Sequence, residues 1–210
     1  MIGTIKPQLA GGNRFHIEHP YAKELFSLAL MRFLTGEVSS KEVVVVCIGT
    51  DRSTGDSLGP LVGSQLAARG IGPVYGTLDD PVHATNLQEK IVEIREKHPD
   101  SFIVAIDACL GKTESVGHVN IKKGPLRPGT GVNKNLPTIG NMHIVGIVNV
   151  GGFMEYFVLQ NTRLNLVMKM ATLIADGIGW AIGSLQKANR ASECASSMEF
   201  QDLAFSPPLG

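Results

Sequence analysis

The sequence carries no surplus of charge: nineteen Lys and Arg balance nineteen Asp and Glu. No net field therefore draws it to a nucleic-acid backbone or an anionic bilayer over long range, and neither is expected as a direct partner. Cysteine is scarce. Cys47, Cys109 and Cys194 are too few and too scattered for a disulfide framework and contain no C-x-x-C pair, which suits a reducing cytosol. Residues 1–20 lack the apolar run of a signal peptide, and no stretch reaches membrane-spanning length without polar interruption, so a cytoplasmic location is expected.

Metal and nucleotide signatures are also missing. The six histidines form no H-E-x-x-H and no paired short spacing, so a structural zinc site is not expected. The loop Gly49-Thr50-Asp51-Arg52-Ser53-Thr54-Gly55-Asp56 is glycine-bearing, but a P-loop needs Lys and then Ser or Thr after its last Gly. Asp56 takes that place and would repel a phosphate. G-x-G-x-x-G spacing is absent as well, and no cofactor is expected.

What is present is a globular mixture, 43% hydrophobic and 18% charged, in a length of 210 residues that fits one domain. That domain is expected over 1–187, including an irregular arm at 1–19, with a flexible tail at 188–210 that shows no periodicity. Behind Pro20, apolar residues recur at helical spacing to about Gly36. Residues 43–48 form a β-branched run of the kind buried on both faces in a parallel sheet. A helix over about 56–70, with Asp56 and Pro60 in its first turn, a weak strand at 73–78 and a charged helix over 84–97 follow. A second buried strand, 102–106, ends at Asp107. Residues 117–137 read as a hairpin or long loop, 144–150 as a further strand, and 153–185 as an apolar region with a long helix from about Thr162. Strands alternating with helices predict a three-layer α/β/α architecture around a mostly parallel, doubly wound sheet.

Asp56 alone fits a helix cap and Asp107 alone a turn residue. Asp107 also sits at the carboxyl end of a strand, where open α/β sheets place their ligand sites. Two carboxylates sharing one crevice split their pKa values, one ionised and one protonated, and such a pair can activate water against a peptide carbonyl. Cys109, with His83, His118 or His143, is a lesser nucleophile candidate, weighed against simple packing. Asp56, Asp107 and His143 form an alternative set for a metal such as nickel, manganese or zinc.

Three segments resemble the germination protease of endospore-forming bacteria, which degrades small acid-soluble spore proteins. They are Ile48 through Pro60, containing Asp56-Ser57-Leu58-Gly59-Pro60; Val104-Ala105-Ile106-Asp107-Ala108; and Arg127-Pro128-Gly129-Thr130-Gly131-Val132-Asn133-Lys134. The resemblance places that family's two catalytic aspartates on Asp56 and Asp107. Gly55 stands where the protease has Pro, and Arg127 where it has His. The chain as a whole is similar to the smaller YyaC-type sporulation proteins, and at fold and loop level it resembles the hydrogenase-maturation endopeptidases, which sense a metal in their substrate. The resemblance implies an aspartic-type endopeptidase acting on a protein or peptide in the cytoplasm of the forespore or spore. Substrate contacts are expected at Gly49, Asp51, Gly129, Gly131 and Asn133, the last three as oxyanion donors or, alternatively, as parts of a plain hairpin turn. A non-catalytic binding protein with the same crevice, a metal-dependent peptidase and a homo-oligomer are all compatible with the sequence.

Overall fold

The computed structural model describes residues 12–35, 37–38, 41–129 and 136–203, with the backbone alone from 189 onward. The chain opens with strand β1 (Arg14–His16) and helix α1 (Ala22–Thr35), whose Phe26, Leu30 and Leu34 repeat at helical spacing and are fully buried. The valine run is strand β2 (Val43–Cys47). Helix α2 (Leu58–Ala68), the short strand β3 (Val74–Tyr75), helix α3 (Leu87–Lys97) and strand β4 (Phe102–Gly111) follow. Strands β5 (His118–Lys123) and β6 (Met142–Val150) precede helices α4 (Glu155–Gln160) and α5 (Leu164–Leu203).

The six strands form one sheet in the order β1-β5-β6-β4-β2-β3. β3, β2, β4 and β6 run parallel, while β5 pairs antiparallel with β6 and β1 antiparallel with β5. The expected mostly parallel α/β sheet is therefore present, with an antiparallel margin. β2 alternates between two cores. Val45 and Cys47 pack with residues of α1, α2 and α5, whereas Val44 and Val46 pack with Leu87, Ile91 and Ile94 of α3. Helices thus cover both faces.

Several boundaries differ from the sequence reading. The first described part of the arm is strand β1, which gains its order from pairing Arg14–His16 with His118–Asn120. Within 117–137, β5 is a full six-residue strand because both its neighbours pair with it. The chain is helical through Leu203, where an irregular tail from 188 is expected. Residues Leu164–Ala188 of α5 are also apolar enough, at mean hydropathy 1.4, to match a membrane span by length and composition. Yet 56% of that window is buried, with Val167, Met170 and Ile174 in the core, which is how a central helix of a globular fold behaves.

Candidate functional site

β2 and β4 stay in register from Val43 beside Phe102 to Cys47 beside Ile106, and there they part. Beyond this point Ile48 gives one more N–H to the Ile106 carbonyl (2.7 Å) and bridges Val82. β4 continues with β6 alone, past an irregularity at Cys109 and Leu110. Asp107 is the first residue of β4 to lie beyond its last pair with β2. It is therefore not the end of the strand, as the sequence suggests, but a mid-strand residue beside a gap that the shorter neighbour leaves. Strand alternation puts Asp107 on the same face as Ala105, which packs in the α3 core.

Asp56 reaches the same gap from the β2–α2 loop. Gly49 leaves the sheet with φ 145°, and a side chain there would run into the Asp56 carbonyl. The Thr50 N–H bonds that carbonyl at 3.2 Å, and Ser57 Oγ donates to the Thr54 carbonyl at 2.6 Å. α2 begins at Leu58 behind N-cap Ser57, so Asp56 is not in its first turn as expected but ahead of it.

Both aspartates line a cleft of about 1070 Å³ at the carboxyl end of the parallel strands. Burial pushes the Asp107 carboxyl well above the usual range, the charge of Asp56 raises it further, and the Ala108 N–H, 2.8 Å from Oδ1, opposes both. Burial also raises Asp56, but His83 and the Thr50 N–H favour its ionised form. The group that counters burial at Asp56 is thus His83, which the sequence offers only as a partner for Cys109. His83 is brought there by the Ile48–Val82 bridge, and its Nδ1 is 2.8 Å from Thr85 Oγ1.

The other expected site residues divide. Gly49 and Gly129 line the cleft, whereas Asp51 is exposed and does not. Gly131 and Asn133 lie outside the described residues. His143 lines the cleft from β6, with Nδ1 2.8 Å from the Gly124 carbonyl. However, among the described residues no three of His, Cys, Asp and Glu converge on a point that could hold a metal, so Asp56, Asp107 and His143 are not a ready-made ligand set. Cys109 also faces the cleft, but burial and then Asp107 push its thiol up to about 11, leaving it protonated at neutral pH and a poor nucleophile. His118 is not at the cleft; it stands beside His16 on β1. Sequence reasoning missed Lys122, which faces the cleft beside His143, and α4, which supplies Glu155, Tyr156 and Leu159.

Fold and site together define an α/β protein with two coupled carboxyl groups in a crevice at the carboxyl end of its parallel strands. Residues 14–177 match the family described as protein of unknown function DUF1256, and the chain belongs to that family. It is 60% identical over 144 residues, 68% of this chain and 70% of the relative, to the Bacillus subtilis (strain 168) protein called uncharacterized protein YyaC. Among solved structures it is similar to the [NiFe] hydrogenase maturation protease HycI from Thermococcus kodakarensis KOD1, with 17% identity and a TM-score of 0.44 over 71% of this chain and 98% of that one.

Proposed function

We propose that the chain is an aspartic-type endopeptidase of sporulating cells, related to the germination protease and acting in the cytoplasm on protein or peptide substrates. The observation that supports this most is the unequal pair: Asp107 is raised by burial and by the charge of Asp56, while Asp56 has His83 and the Thr50 N–H to stabilise its anion. One proton shared in this way sits on Asp107. In the reaction, Asp56 takes a proton from water as the water oxygen attacks the peptide carbonyl carbon. Asp107 then gives its proton to the amide nitrogen as the C–N bond breaks, and the proton that Asp56 took from water passes to Asp107 before the next turnover. Gly129 lines the cleft wall, which supports main-chain contacts to the substrate there.

Purified small acid-soluble spore proteins are the first substrates to try, with chelator present. Asp56→Asn and Asp107→Asn should each lower the cleavage rate by about 10²–10⁴-fold, the usual scale for losing a general acid or base. Cleavage that survives both changes, or a folded native chain that cuts nothing, overturns the reading. Rate against pH should be bell-shaped, with both apparent values belonging to the pair and both above the ordinary carboxyl range, because both groups are raised.

A further inference from the structure

Helix α4 has no buried residue. Phe153, Met154, Tyr156 and Phe157 are 87%, 57%, 65% and 56% exposed, a cluster of large apolar side chains of the kind that marks an interaction site. The helix is nonetheless held in place. The Gly55 N–H donates to the Leu159 carbonyl at 2.8 Å, and the Asn149 amide donates to the Val158 carbonyl at 3.3 Å and to Thr162 Oγ1 at 3.2 Å. A side chain at Gly55 would collide with Leu159. The loop that ends in Asp56 therefore fixes where α4 stands.

Tyr156 belongs to both surfaces. It is largely exposed, and it lines the Asp56–Asp107 cleft together with Leu159. Tyr156 thus joins the exposed apolar cluster to the wall of the cleft that holds the carboxyl pair. The cleft is at the upper limit of small-molecule pockets, about 300–1,000 Å³, and is open to this lip. An occupant that touches both must be thin enough to enter and long enough to extend outside, a shape that an unfolded polypeptide segment has and a flat folded surface lacks.

We propose that the outer face of α4, together with Phe153 just before it, is a docking lip for large apolar side chains of an unfolded protein segment whose backbone continues into the cleft. What happens inside the cleft rests on the peptidase reading; docking at the lip does not. The probe is reduced, carboxymethylated α-lactalbumin carrying a fluorescent label, an unfolded chain with exposed apolar residues. It is titrated by anisotropy with Asp107→Asn, which holds the probe without turnover, and with Asp107→Asn also carrying Phe153→Ser and Phe157→Ser. The lip predicts a Kd higher by about tenfold or more in the second protein. Equal affinities, or no binding by either, overturn it.

Cleavage of the same probe separates the two ideas. Cutting by the native chain that is lost in Asp107→Asn, with equal affinities, removes the lip and keeps the peptidase. Binding that depends on Phe153 and Phe157, with neither this probe nor the spore proteins cut, removes the peptidase and keeps the lip. Sedimentation of the native chain gives the remaining outcome: a dimer that disappears in Phe153→Ser/Phe157→Ser assigns this face to a second copy and overturns the proposal. Both positions are exposed, so the changes leave the core intact, and thermal melting checks this.

Discussion

Asp107 weakens the fold when it ionises. Its folded pKa lies above the ordinary value near about 3.9, so between the two values the native chain binds more protons than the unfolded one, and stability falls as pH rises. Asp107→Asn removes this loss. Its melting temperature should exceed that of the native chain at neutral pH and match it below about pH 4, where the native carboxyl is already protonated. An advantage of the same size at both pH values would mean that the group is not raised. Cys109 makes an independent check, since a thiol at about 11 should alkylate slowly at pH 7 and rapidly only as pH approaches that value. At this scale the two aspartates were legible because each closes a recognisable local pattern, a glycine loop before a helix and a carboxylate after an apolar strand. His83 was not, because its nearness to Asp56 depends on the Ile48–Val82 bridge, a contact between distant segments that no local spacing records.

Between elements, the join of β2 to α2 depends on close approach. A side chain at Gly59 would meet the Ile48 carbonyl, where the first turn of α2 rests on the last residue to leave the sheet. Gly59→Ala should therefore cost about 1–3 kcal/mol by overpacking, measured by urea unfolding, even though alanine favours helix. A neutral result would show that the join relaxes. Elements whose order is intrinsic, such as β2 and α3, were readable from their apolar spacing. In the sequence β4 reads as ending at Ile106 because Asp107-Ala108-Cys109 is a weak strand sequence, which is held extended by its ladder with β6. β1 was missed for the same reason: three residues with one buried phenylalanine carry no signal until β5 lies beside them.

Across the whole molecule, the sheet separates a larger core under α1, α2 and α5 from a smaller one under α3. Met170 lies fully buried in the larger core, so Met170→Ala should destabilise by about 2–5 kcal/mol and shift the entire unfolding transition without splitting it. Two separate transitions would mean that the layers melt independently. The layered plan was visible in the alternation of strands and helices, while the antiparallel margin was hidden within a glycine- and proline-rich stretch. That margin limits how copies can aggregate. The outermost strands, β1 and β3, are three and two residues long, so among the described residues the sheet offers hardly any unpaired backbone for a foreign strand to zip onto. Its sheet edges are therefore poor templates for fibril growth, even at high local concentration of the chain.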